Sequence, residues 1–206
     1  MINLLSIDWD YFINTSNETR NTCFPNIPDD ILTEEQRKEI WEPLYEEYDI
    51  ENIGILEDEF DQLKDILQRI LYNNKNIIKY VNDSHRYMYD LVYQSLKAAK
   101  TRFVRVFNID FHHDMYQYRK PNEKVNCGNW AEILQEELSE KFDYNWIKRE
   151  DSEEFSLLGQ VEYNESSLED LPKVNFDGIY LCKSGAWSPP HLDDAFIELK
   201  NCIYSN

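Results

Sequence analysis

The sequence predicts an α/β fold in which a mostly parallel sheet lies between helices, a three-layer αβα arrangement. Three observations predict it. Short apolar runs of strand length alternate with stretches of helical periodicity. The 206 residues are 42% hydrophobic and 14% aromatic, enough to pack one core-bearing domain. The residues best suited to chemistry fall directly after apolar runs, at the carboxyl ends where parallel sheets place their ligands.

Leu4 to Ile7 reads as a buried strand ending in Asp8-Trp9-Asp10. Asn14 to Pro28 is polar and reads as a loop. Thr33-Glu34-Glu35-Gln36 fits a capping box, so a helix starts at Glu34 and kinks or ends near Pro43. Phe60, Leu63, Ile66, Leu67, Ile70 and Leu71 share one face of a helix from Asp58 to Tyr72. Residues 14–72 thus read as a helical insertion within a single domain of residues 1–206. Strands follow over Asn76–Val81, Arg102–Ile109, Tyr144–Ile147 and Phe176–Cys182. Helices are expected from His85 to Ala99, Gly128 to Lys141 and Asp193 to Tyr204, while Ser152 to Lys173 gives no clear pattern.

Charge excludes some functions. Lys and Arg total 21 against 40 Asp and Glu, a formal charge of −19. Such a surface repels phosphate backbones and anionic lipid, so no nucleic acid and no membrane are expected as partners, whereas cations are favoured. No apolar stretch approaches the ~20 residues of a membrane span, and the N-terminus lacks a basic region before its first carboxylate. A cytoplasmic chain is expected. Its cysteines, Cys23, Cys127, Cys182 and Cys202, are scattered and expected to be reduced.

Three strand ends carry metal-type ligands: Asp8 and Asp10, then Asp83 and His85, then Asp110, His112, His113 and Asp114. In extended chain alternate residues point the same way, so Asp110, His112 and Asp114 face one site together, as do Asp8 and Asp10. His113 then points away from His112. Taken singly, Asp8 and Asp10 suit a turn and His85 suits a helix start. Two histidines between two aspartates after an apolar strand have no such structural account. Carboxylates mixed with imidazoles suit divalent ions such as Mn²⁺, and bridging carboxylates allow two.

These segments resemble the ureohydrolases, the arginase and agmatinase family. Asp110-x-His112-x-Asp114 resembles their D-A-H-x-D motif. Asn82-Asp83-Ser84-His85 resembles G-G-D-H, Ser6-Ile7-Asp8-Trp9-Asp10 resembles S-x-D-x-D, and Trp187 to Asp193 is similar to the late S-P-P-x-x-D of agmatinases. Asp8 to Phe12, together with Cys127-Gly128-Asn129-Trp130, is closest to the peptide arginases, which convert arginine to ornithine inside ribosomally made peptides. The S-x-D-x-D element comes first here, which implies a circularly permuted arginase-like fold.

The resemblance implies two Mn²⁺ ions. Asp110 and Asp8 would bridge them, His85 and Asp114 would complete one, and His112 and Asp10 the other. Water activated there would hydrolyse the guanidinium group of arginine in a precursor peptide, giving urea and ornithine. Trp130 stands where ordinary arginases carry a proton-carrying histidine after Gly-Asn. Asp114 is then the foremost proton carrier, with His113 and His191 as substitutes. Asn129, Trp130 and Trp187 are the candidate substrate contacts, with Tyr116 and Tyr118 on the same rim. The family's guanidinium-binding glutamate has no counterpart beside Lys183 and Ser184. Two other readings stay open: a deacetylase-like metal-dependent amide hydrolase, and a non-catalytic acidic interaction protein on the same fold.

Overall fold

The computed structural model describes residues 1–25, 27, 32–116, 124–156, 159–160 and 162–204. Tyr118 and the end of the expected loop at Pro28 lie outside the described residues. Six parallel strands form one sheet: β1 (Ile2–Asp8), β2 (Ile78–Asn82), β3 (Val104–Ile109), β4 (Phe142–Ile147), β5 (Asn164–Glu165) and β6 (Gly178–Cys182), in spatial order β2-β6-β1-β3-β4-β5. The αβα arrangement expected from the sequence is the observed one.

The N-terminal strand lies inside the sheet, paired with β6 on one side and β3 on the other. Registers Ile7↔Ile109, Asp8↔Cys182 and Cys182↔Asn82 end four adjacent strands at one level. Residues that follow them therefore share one edge of the sheet.

Strand alternation divides the interior in two. On one face Ile2 and Leu4 meet Val104, Val106, Tyr144 and Tyr180 under helices α4 (Tyr87–Ala99) and α5 (Trp130–Leu138). On the other, Leu5 and Ile7 meet Phe107, Ile109, Ile179 and Leu181 under α3 (Glu57–Asn73) and α6 (Asp193–Tyr204). α3 buries the six apolar residues that its periodicity marks out.

Three expectations differ in whole or in part from the structure. Asn17–Cys23 is a helix, α1, with the Ser16 hydroxyl accepting from Thr19 N, where the polar composition reads as loop. Helix α2 (Glu34–Glu47) starts with the expected Thr33–Gln36 capping box but runs past Pro43. Pro43 is exposed, so the carbonyl it leaves unbonded a turn earlier can turn to water. Arg37 and Trp41 anchor α2: Arg37 pairs with Asp193 at 2.6 Å, and both side chains donate to the Gly185 carbonyl. His85 lies in the turn before α4 rather than inside it.

Candidate metal centre

Asp8 is the last residue of β1, and Asp110 directly follows β3. His85 comes three residues after β2, where a turn brings its ring back over β1 and β3. Its Nδ1 lies 3.0 Å from Asp8 Oδ2, 3.1 Å from Asp110 Oδ2 and 2.9 Å from Asp114 Oδ2. His112 Nδ1 lies 2.9 Å from Asp10 Oδ2 and 4.0 Å from Asp110 Oδ1. All six ligands expected from the sequence thus converge, with Asp110 common to both groups. Ligand atoms of Asp8, His85 and Asp110, and again of Asp10, Asp110 and His112, fall within 4.8 Å of one another.

The convergence is not made by extended alternation. Trp9–Phe12 is a 3₁₀ turn in which Asp10 N donates to Asp8 Oδ1, so Asp10 reaches the site by a bend. After Asp110, whose Oδ1 accepts from His112 N, the chain turns and Asp114 takes φ 50°. Ser184, with φ 46°, donates from Oγ to Asp8 Oδ2 at 2.7 Å. Left-handed backbone at two non-glycine residues is strain concentrated where the cluster needs it.

The supporting groups fix ring and carboxylate orientation. Ser6 Oγ lies 2.6 Å from His85 Nε2; with the proton on Nε2, the Nδ1 lone pair faces the three carboxylates. The Trp130 indole N–H donates to Asp114 Oδ2. Asn108 Nδ2 donates to Asp110 Oδ2 at 3.1 Å. Arg20, buried on α1, donates to the Asp10 and Ile13 carbonyls, and its Nη1 stands 3.8 Å from Asp10 Oδ2. Ser6, Ser184, Arg20 and Asn108 were not legible as site residues, because each acts only through a neighbour brought near by folding.

Electrostatics make the cluster costly without a cation. Burial, then Asp10 and Asp110, push the Asp8 carboxyl up to about 6. Burial, then Asp114, push Asp110 up to about 8. Burial would lower both imidazoles, but Asp114 holds His85 well above its ordinary value, and Asp10 lifts His112 to about 9. Burial would raise Asp10 as well, yet His112 and Arg20 hold it below the ordinary carboxylate value. Protons therefore sit where positive charge is demanded.

The donor set fits a divalent ion. Two ligand atoms ~2.1 Å from one ion and at right angles stand about 3.0 Å apart. The three His85–carboxylate separations, 2.9, 3.0 and 3.1 Å, have that spacing. One imidazole N–H cannot serve three carboxylates, whereas one cation can. Asp10 Oδ1 is buried with no hydrogen-bond partner among the described residues, and a cation would satisfy it.

A cavity of about 290 Å³ opens onto the cluster, lined by Asp8, Asp10, His112 and Asp114 within and by Phe111, Trp187 and Tyr116 at its walls. The Trp187 and Phe111 rings pack edge-on against His112 at 5.2 Å. Trp187 and Cys127 both line this cavity, and none of the four cysteines forms a disulfide.

Other expected residues lie elsewhere. His113 is buried, with its Nδ1 accepting from Met115 N and its ring against Tyr116 and Trp146. His191 is exposed and bonds the Tyr45 hydroxyl of α2 and the Ile53 carbonyl. Neither lines the cavity. Asn129 is buried and braces its own loop through Asn126 N and Lys124 O, and Trp130 supports Asp114 from behind. Both are buried, and neither lines the cavity.

No helix among the described residues is long and apolar enough to cross a membrane. Compared with protein-family models, with curated proteins and with solved structures, the chain matches none. The finding rests on the geometry alone: buried Asp and His groups at the carboxyl ends of a parallel sheet could hold a metal ion.

Proposed function

We propose that the chain is a Mn²⁺-dependent hydrolase that converts arginine in a ribosomally made peptide to ornithine and urea. The observation that carries this reading is the convergence of Asp8, Asp10, His85, Asp110, His112 and Asp114, three strand ends far apart in sequence. Two such ions, when bound, would lower the pKa of water and polarise the guanidinium carbon's surroundings. Asp8, His85, Asp110 and Asp114 would hold one ion, and Asp10 and His112, with Asp8 and Asp110 shared, the other.

The remaining work falls to the chain. Trp187 and Phe111 narrow the cavity beside His112, hold its ring and exclude bulk water. Asp114 lines the cavity, and its carboxyl, pushed up by burial, is suited to carry a proton to the leaving amine of ornithine. Its place favours it over His113 and His191. The acidic surface draws a cationic side chain inward.

The test measures metal content and urea together. The expected outcome is about two Mn²⁺ per chain, with urea and a mass loss of CH₂N₂ per arginine from a peptide substrate. Metal without urea from any arginine peptide would favour an amide hydrolase, and no metal at all an interaction protein.

A further inference from the structure

Among the described residues, helix α2 gives no side chain to the ligand cluster or to the cavity beside it. It is bonded instead to the loop over residues 183–189, which leads from β6 toward α6. Arg37, buried on α2, donates from Nε to the Gly185 carbonyl at 3.1 Å and from Nη2 to the Ser188 carbonyl at 2.8 Å. It also forks onto Asp193, with Nη1 2.6 Å from Oδ2 and Nη2 2.8 Å from Oδ1. The Trp41 indole N–H, one helical turn on, gives the Gly185 carbonyl a second donor at 2.9 Å. Gly185 permits this approach: a β-carbon there would stand 3.1 Å from Arg37 Cδ and 3.2 Å from Nε.

The loop so held carries two groups to the cluster. Ser184 donates from Oγ to Asp8 Oδ2 at 2.7 Å, from a φ of 46° that residues with a side chain seldom adopt. Trp187 N donates to the Ser184 carbonyl at 2.8 Å, and the Trp187 ring packs against His112. Ser188 closes the turn from within, its hydroxyl donating to the Lys183 and Ser184 carbonyls at 2.9 and 3.0 Å. Backbone in the left-handed region persists where its surroundings over-determine it. The donors from α2 supply that constraint from outside the sheet. A planar guanidinium meets two carbonyls and a carboxylate at fixed angles, which an ammonium cannot do.

We propose that Arg37 is a positioning residue of the metal centre: it holds the turn over residues 184–188 in the shape in which Ser184 orients Asp8 and Trp187 backs His112. The inference rests on the metal-binding part of the proposed function and not on its guanidine substrate. Arg37 reaches Asp8 only through Ser184, so the effects of the two residues on the ion at Asp8 overlap instead of adding. Loss of an orienting partner weakens metal affinity about 10–100-fold. Arg37 stands one step behind Ser184, and its effect falls at or below the lower end of that range.

The experiment is a double-mutant cycle. Mn²⁺ is titrated calorimetrically into the parent protein, Arg37→Lys, Ser184→Ala and the double variant, and amide hydrogen exchange is followed on the same proteins without metal. Arg37→Lys keeps a cation beside Asp193 but loses the fork. In the Mn²⁺ step that Ser184→Ala weakens, Arg37→Lys should cost about 5–10-fold in Kd on the parent background and less than about twofold on the Ser184→Ala background. The amides of Ser184 and Trp187, which donate to the Asp83 and Ser184 carbonyls, should exchange at least about tenfold faster in Arg37→Lys, while those of β1 and β3 keep their protection. Equal losses on both backgrounds, or no loss on the parent, overturn the assignment, because a residue that only packs α2 costs the same with or without the Ser184 hydroxyl. Unchanged exchange at Ser184 and Trp187 overturns it without any metal. A parent protein that takes up no Mn²⁺ fails the metal reading, and faster exchange in the same samples still supports Arg37 as the residue that shapes the turn around Asp8. Where Arg37→Lys shows no cooperative unfolding in urea, Trp41→Phe replaces it in the cycle; it removes only the second donor to the Gly185 carbonyl, and the same pattern is expected with a loss of about threefold.

Discussion

The two halves of the ligand cluster differ in what surrounds them. Asp8, His85, Asp110 and Asp114 are at most 4% exposed and are held by neutral groups: Ser6, Ser184, Asn108 and Trp130. Asp10 and His112 line the cavity as Asp8 and Asp114 do, but the His112 side chain is 23% exposed and the pair is backed by a buried guanidinium. Arg20 sits 3.9 Å over the Phe111 ring, with Nε and Nη1 lacking hydrogen-bond partners among the described residues. One half thus depends on protons or a cation to balance its carboxylates, and the other is already partly balanced by Arg20. A cation is worth more in the first half, where three carboxylates surround one imidazole in a low-dielectric interior. In the second, beside the 23% exposed His112 side chain, a cation would be more exchangeable.

The comparison breaks most completely at Asp110, which belongs to both halves. Asp110→Asn replaces a shared carboxylate by a neutral amide and should abolish metal binding and urea release together. Plasma spectrometry after gel filtration reads the first, and retention of two ions per chain would refute the sharing. Next in size are the single-half variants. His85→Ala should remove the tighter ion, and His112→Ala should leave about one ion per chain. Calorimetric titration with Mn²⁺ separates the two; if His112→Ala removes the tighter step, the ranking of the halves is inverted. Ser184→Ala should have a smaller effect, because it removes only the hydroxyl that orients Asp8. Loss of such an orienting partner typically weakens metal affinity about 10–100-fold, which the same titration reads on the tighter step.

Much of the inner half was legible because its residues follow apolar runs that can only be buried strands. Leu4 to Ile7 and Val104 to Ile109 set the register, and Asp8 and Asp110 follow from it. The means of convergence were not legible. The period of two that places Asp110, His112 and Asp114 together assumes extended chain, while the chain turns at Asp110 and takes a left-handed φ at Asp114. The outer half was legible only in its ligands. Helix α1 has no apolar stripe; its one buried residue is Arg20, so hydrophobic periodicity cannot find it. Ser16 at its N-cap and Glu18 in its first turn were the available signals. Glu153 lies in an acidic stretch without periodicity, and only folding brings it to Asn17 on the cavity wall.

The smallest expected effect on either half comes from His113, which shares a motif with the ligands and none of their geometry. A proton carrier lost from the site would slow turnover by ~10²–10⁴-fold. Facing Met115 N and the Phe155 carbonyl instead, His113 should leave metal content and urea release within about twofold when changed to Asn, whose carbonyl can still accept from Met115 N. Its effect belongs to stability. Burial pushes the imidazole down to about 4 from an ordinary 6.5. Between those values the unfolded chain binds the proton and the folded chain does not, so stability falls as pH falls through this window. Above 6.5 the group is neutral in both states and costs nothing. The loss approaches about 3 kcal/mol by pH 4, at ~1.4 kcal/mol per unit. The raised carboxyls of Asp8 and Asp110 titrate in the opposite sense over overlapping pH, so the metal-free parent protein shows only a net slope. Subtracting His113→Asn from the parent in urea denaturation at pH 7, 6, 5 and 4 isolates the one group. The stability advantage of the parent should shrink by up to that amount toward pH 4, and a difference constant with pH would place a proton on His113 in the folded state.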